Sequence, residues 1–121
     1  MISKENMVNL PPELQKKIEE HGRICDFIHD LYEKKNSDYG DSMHPLYEEY
    51  GLTAFMILFS TKINRIKSLM KKGNANYESL EDSLLDLANY SIIAVTEMRA
   101  EKNKELSNGG VYCGYNDEKG E

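Results

Sequence analysis

Apolar residues recur at helical spacing along three long stretches of the chain. In the first, Leu14, Ile18, Cys25, Ile28 and Leu31 are separated by three, four or seven residues, with Tyr32 beside them. That stripe predicts a helix from about Glu13 to Lys35. Pro12 suits its first position, where the backbone N–H would have no intrahelical acceptor. Gly22 is a soft spot inside it, about 1 kcal/mol worse than Ala. The turn-forming run from Asn36 to Ser42 is expected to end it.

Pro45 restarts the chain as a short helical turn through Glu49, and Gly51 breaks it. Leu52, Phe55, Met56, Phe59, Ile63, Ile66 and Met70 then predict a second main helix from Leu52 to Lys72. Its first half is apolar on most sides and is expected to be the most buried part of the protein. Gly73-Asn74 reads as its C-terminal cap. A third helix is predicted from Tyr77 or Ser79 to about Leu106, with Leu80, Leu84, Leu87, Ser91, Ala94 and Met98 in line. Leu85, Ile92 and Val95 widen that line. Ser79 followed by Asp82 has the spacing of a reciprocal N-terminal cap.

No strand alternation and no repeat of 20–50 residues is present. The expectation is an all-α fold of three long helices and one short one, in a single helical domain spanning 11–107. Residues 1–10 are read as a flexible lead-in and 108–121 as a mobile Gly-rich, acidic tail. Apolar surface on more than one side of the helices predicts that oligomerisation completes the bundle, most simply as a homodimer.

Composition narrows the function. The formal net charge is −6, from 15 basic and 21 acidic residues. That balance disfavours a nucleic-acid partner, whose phosphate backbone requires a basic face. A small phosphorylated ligand needs only a few cations or a metal. No apolar run approaches the ~18 residues of a membrane span, and Met1–Leu10 carries no signal-peptide pattern. Cys25 and Cys113 have no metal-site or disulfide spacing, so a reduced, cytoplasmic setting is expected. Phosphate-binding loops, dinucleotide fingerprints, nucleophile elbows and HExxH are all missing. Cys113 has no neighbour that would activate it as a nucleophile.

The charges are segregated along the chain. The third helix begins with Glu78, Glu81, Asp82 and Asp86, and has no Lys or Arg until Arg99. Asp82, Asp86 and Asn89 share one face at i, i+4 and i+7. Like charges four apart repel by a few tenths of a kcal/mol. Replacing both aspartates by Asn is therefore expected to raise stability slightly. A divalent cation would turn the repulsion into attraction, and carboxylate oxygens suit Mg²⁺. A solvated acidic face at a helix N-terminus is the plainer account of such a run. However, Asp86 lies among Leu84, Leu85, Leu87 and Ala88, where a charge calls for a partner.

The first helix offers a second pair, Asp30 and Glu33, and the following loop adds Asp38 and Asp41. His29 could bind metal, but a lone helical histidine is more often a surface or satisfied core residue. In the second helix Lys62, Arg65, Lys67, Lys71 and Lys72 are collected with no acid between Gly51 and Tyr77. Lys62 and Arg65 share a face. They would either neutralise acidic neighbours or hold phosphate oxygens, Arg through its planar fork and Lys as a point charge.

Three ordered motifs resemble those of the phage and bacterial nucleotide-modification-associated domain of the first type. They are Lys35-Asn36-Ser37-Asp38-Tyr39-Gly40-Asp41-Ser42, then Lys62-Ile63-Asn64-Arg65-Ile66, then the run from Tyr77 to Tyr90 containing Asp82, Asp86, Leu87, Ala88, Asn89 and Tyr90. More distantly, the layout resembles the MazG-like all-α nucleoside triphosphate pyrophosphatases. Those hold Mg²⁺ between two acidic pairs on facing helices and cleave a triphosphate to monophosphate and pyrophosphate. That resemblance implies Asp82 and Asp86 as one pair and Asp30 and Glu33 as the other. The Glu-rich spellings usual in that family are not reproduced.

The expected function is a Mg²⁺-dependent phosphohydrolase acting on a (deoxy)nucleoside triphosphate. Asp82, Asp86, Asp30 and Glu33 are the candidate metal ligands and catalytic carboxylates. Lys62, Arg65, Asp38, Tyr39, Asp41, Asn89 and Tyr90 are the candidate substrate contacts. Two alternatives stand beside it. One is a nucleotide-binding protein without turnover, which sequesters a nucleotide-derived signal or modulates a nucleotide enzyme. The other is a purely structural helical module.

Overall fold

The computed structural model of the chain describes residues 9–39, 41–73 and 76–107, the side chains of 37–39 and 107 excepted. Among these residues the protein is all-α, with four helices and no strand. They are α1 (Pro12–Tyr39), α2 (Met43–Tyr50), α3 (Leu52–Lys72) and α4 (Tyr77–Ser107). None is long and apolar enough to cross a membrane. The expectations for residues 1–8, for Asn74 and for the tail 108–121 lie outside the described residues.

The chain divides after Ser42 into two units, Met1–Ser42 and Met43–Glu121. In the first, α1 runs four residues beyond the predicted end at Lys35. Asn36, Ser37 and Asp38 are weak helix formers, but each costs well under 1 kcal/mol in a last turn. Asn36 also donates a hydrogen bond from Nδ2 to the Tyr32 hydroxyl one turn back, at 3.1 Å. At the other end Gln15 ties the helix start to the preceding backbone, its Nε2 donating to the Leu10 carbonyl at 2.6 Å. Ile28 is the buried member of the predicted stripe; Ile18, Leu31 and Tyr32 are half-buried, and Leu14 and Cys25 are exposed.

In the second unit, α2 begins at Met43, two residues before Pro45. Proline is tolerated there because first-turn N–H groups have no intrahelical acceptor. Gly51 separates α2 from α3 at φ 64°, and Gly73 closes α3 at φ 84°. Both values lie in the left-handed region, where a Cβ is strained and glycine is not. The two glycines bracket α3 at its predicted limits, Leu52 and Lys72. The third predicted helix starts at the earlier of its two candidates, Tyr77. Ser79 and Asp82 therefore lie inside α4 and do not form its cap. The start is reached through Asn76, whose N–H donates to the Gly73 carbonyl at 3.3 Å.

α3 and α4 pack along their length as an antiparallel hairpin. The core of this unit is narrow. Phe55 is wholly buried, with Tyr47 and Phe59 at ring-centroid distances of 6.2 and 6.3 Å. Ala54, Leu69, Ser83, Ile93 and Ala94 complete it. The first half of α3 is less buried than its composition predicts. Ala54 and Phe55 are inside, but Leu52, Met56 and Ile57 are exposed. The cause is geometric: α2 and α4 meet one side of α3, and a helix apolar all round needs neighbours all round.

Candidate functional site

The hairpin brings the basic residues of α3 against the acidic start of α4. Lys62 and Asp86 lie at nearly equal distances from the 73–76 connection, so antiparallel pairing sets them side by side. The Lys62 ammonium donates to Asp86 Oδ2 at 2.8 Å. The side chains are 22% and 34% exposed, which places the pair at the edge of the core rather than in open water. Asp86 thus has the partner its apolar flanks called for.

Helical spacing extends this pair into a polar side of the hairpin. Arg65 follows Lys62 by three residues; Asp82 precedes Asp86 by four and Asn89 follows by three. Arg65 and Asp82 are exposed, and neither has an ion-pair partner among the described residues. Asn89 and Tyr90 are half-buried. Two carboxylates one turn apart, an amide and two cations thus share this part of the hairpin, the chemistry of hard oxygen donors beside positive charge.

The remaining predicted site residues belong to the first unit. Asp30 and Glu33 are exposed on α1, as are Asp26 and His29, and Asp41 is exposed between α1 and α2. Asp38 and Tyr39 fall in the last turn of α1, and their side chains lie outside the described residues.

A second cluster was not predicted. α2 is fastened to the far end of α4 by two contacts on successive turns. His44 Nδ1 lies 2.8 Å from Glu97 Oε1, and the Tyr47 hydroxyl donates to Glu101 Oε1 at 2.7 Å. A carboxylate offers only acceptors, so the imidazole Nδ1–H donates to Glu97. Glu97 is 8% exposed, the most buried acid among the described residues. Glu48 approaches the other ring nitrogen, at 3.4 Å. These side chains and Lys104 line a cleft of about 480 Å³. Four glutamates against one lysine make the cleft acidic and unsuited to a polyphosphate. Sequence carried one signal for it: Glu97 sits in the run Ala94-Val95-Thr96-Glu97-Met98, among apolar neighbours as Asp86 does.

The family of the nucleotide modification associated domain 1 matches residues 35–98, just over half of the chain. The chain belongs to that family. No curated protein and no solved structure matches it. The matched segment of this nucleotide modification associated domain runs from the last turns of α1 through α2 and α3 and into α4. It holds the whole polar side of the hairpin, from Lys62 to Tyr90. It also holds His44, Tyr47 and Glu97, and stops short of Glu101 and Lys104.

Proposed function

We propose that this nucleotide modification associated domain is a Mg²⁺-dependent phosphohydrolase of nucleoside triphosphates, with the polar side of the α3–α4 hairpin as its site. The observation that carries the reading is the Lys62–Asp86 contact at 2.8 Å, flanked by Arg65, Asp82 and Asn89 within the family segment. The acidic cleft at His44 and Glu97 would repel the same substrate, which leaves the hairpin as the favourable surface.

Lys62 and Arg65 hold phosphate oxygens, Lys62 as a point charge and Arg65 through two parallel N–H donors. Asp82 and Asp86 offer carboxylate oxygens, and Asn89 its carbonyl, to a Mg²⁺ that prefers hard oxygen ligands. Such a cation supplies Lewis acidity and offsets charge developing on the phosphates. Lys62 has a double use in this arrangement. It neutralises Asp86 when no ligand is bound, and would be free to hold a phosphate oxygen if Asp86 held the cation.

The same contact favours a second reading, binding without turnover, because a lysine engaged with Asp86 competes with any cation there. One panel separates the two. The chain is incubated with the common nucleoside triphosphates, with and without Mg²⁺, and followed by ³¹P NMR and thermal shift. Mg²⁺-dependent release of phosphate or pyrophosphate, lost in Asp82→Asn, supports the hydrolase. A melting shift without turnover supports the binder. Neither turnover nor a shift with any nucleotide overturns both.

A further inference from the structure

The α3–α4 hairpin has a second side, apolar along its centre with Lys67 at its α3 edge, and we propose that it is the interface with a second copy of this chain. On α3, Leu52, Met56, Ile63 and Met70 form a line rotated by about 80° from the buried line of Phe55 and Leu69. On α4, Leu84 and Val95 lie rotated by about 100° in the same sense from the buried line of Ser83 and Ala94. In antiparallel helices, rotations of the same sense bring the two lines to one side of the hairpin. Arg65, Asp82, Asp86 and Asn89 are rotated the other way, and Lys62, seven residues from both Phe55 and Leu69, lies on the buried line and meets Asp86 across the helix pair, so the polar and apolar sides are opposite. Each of the six apolar residues is between 42% and 66% exposed. Ala88 and Ser91, which continue the α4 line, are small and uncharged.

Size and chemistry single out a second copy as the occupant. The 21 residues of α3 span about 30 Å, and two helices side by side are about 20 Å across. The side therefore offers on the order of 600 Å², the upper end of what a monomer leaves exposed. Two copies face to face bury on the order of 1,200 Å², where specific, stable interfaces begin. A chain of net charge −6 repels its own copy unless the contact is free of charge. The centre of this side carries no charge and Lys67 lies at its edge, so the middle of the surface is complementary to itself, as a two-fold contact requires, with charge left to the rim. Two hairpins joined this way make a four-helix bundle and give α3 the neighbours its apolar first half lacks. The polar sides then face outward, one on each copy.

The full chain at about 50 µM is examined by light scattering and sedimentation equilibrium. The expected mass is twice the 13.9 kDa of one chain. Ile63→Glu and Val95→Glu each place a carboxylate in the contact and are expected to weaken self-association about a hundredfold, with unchanged helical circular dichroism. Ile57→Glu, on an exposed part of α3 outside both lines, is expected to leave the dimer intact. A single-chain mass for the wild type overturns the proposal and assigns the side to another part of the chain or to a different protein. A dimer that survives both Ile63→Glu and Val95→Glu, or one that Ile57→Glu dissociates equally, places the contact elsewhere and overturns it as well.

Discussion

Asp82 and Asp86 are one turn apart on α4, yet replacing each by Asn is expected to move stability in opposite directions. Asp82 is exposed, with no ion-pair partner among the described residues, beside Glu78 and Asp86 at four-residue spacing. Removing its charge relieves two like-charge contacts of a few tenths of a kcal/mol each, less a small loss of helix-dipole attraction near the N-terminus. The net gain is about 0–0.5 kcal/mol. Asp86 gains the same relief from Asp82, but it loses the Lys62 contact at 2.8 Å. Coulomb's law at that separation gives about 1.5 kcal/mol in bulk water and about 6 kcal/mol at an effective dielectric of 20. With the side chains 22% and 34% exposed, solvent screening and side-chain ordering reduce this to about 1–2 kcal/mol. The loss outweighs the relief, so Asp86→Asn should destabilise by about 1 kcal/mol. The double variant should fall below the wild type too. Spacing alone gives the opposite sign, because it contains the repulsion and not the lysine.

The assay is thermal and urea unfolding of the two single variants, Lys62→Met and the Lys62→Met/Asp86→Asn double variant. For a unit of this size, 1 kcal/mol moves the midpoint by about 4–8 °C. The cycle should return a coupling of about 1 kcal/mol between Lys62 and Asp86, and none above 0.3 kcal/mol or so between Lys62 and Asp82. An Asp86→Asn protein that melts at or above the wild type, or a Lys62–Asp86 coupling within error of zero, refutes the reasoning.

Three further outcomes are expected. Phe55→Ala removes the wholly buried ring between Tyr47 and Phe59 and should cost about 3–5 kcal/mol, read as a large fall in the urea midpoint; a change under 1 kcal/mol would mean that the core lies elsewhere. Glu97→Ala deletes a buried acceptor of His44 Nδ1 and should cost about 1.5–3 kcal/mol, with the His44 ring resonances changed in NMR spectra, whereas the exposed Glu49→Ala should leave both unmoved. Arg65→Lys keeps the charge but not the fork, so calorimetric titration with a nucleoside triphosphate should show binding about tenfold weaker, or ~1.4 kcal/mol, at an unchanged melting temperature.

The legible parts of the sequence were those set by local physics. α3 was read to its ends because an apolar stripe is bracketed by two glycines, and both take left-handed backbone angles. α1 was read four residues short because Asn, Ser and Asp favour turns without forbidding helix, and Asn36 finds a partner one turn back in Tyr32. The capping pattern at Ser79 and Asp82 was a local match inside a helix that had already begun. Contacts distant in sequence divide into two kinds. Lys62–Asp86 was recoverable from the hairpin, since antiparallel helices pair residues equidistant from their connection. His44–Glu97 and Tyr47–Glu101 link residues more than fifty apart, across α2 and α4, and no periodicity within either helix encodes that meeting.

What segregation of charge does for this protein follows from the two sides of the hairpin. α3 gathers its cations and α4 its first carboxylates, which in isolation would strain each helix with like-charge neighbours. Antiparallel pairing turns that strain into attraction, and the Lys62–Asp86 contact is where the two meet. A chain that needed only a folded hairpin could scatter its ion pairs around the exposed surface, where each contributes little. Placing Arg65, Asp82 and Asp86 on one side leaves the centre of the other without charge, with Lys67 at its edge, and a single helix pair then offers two different surfaces. A polyanion with its cation would disturb the polar side, because both compete directly with Lys62–Asp86. The same ligand would leave the apolar side untouched, because the centre of that side carries no charge for it to act on. Nucleotide binding and self-association are therefore expected to be uncoupled: saturating triphosphate and Mg²⁺ should leave the sedimentation equilibrium constant within about twofold of its value without them.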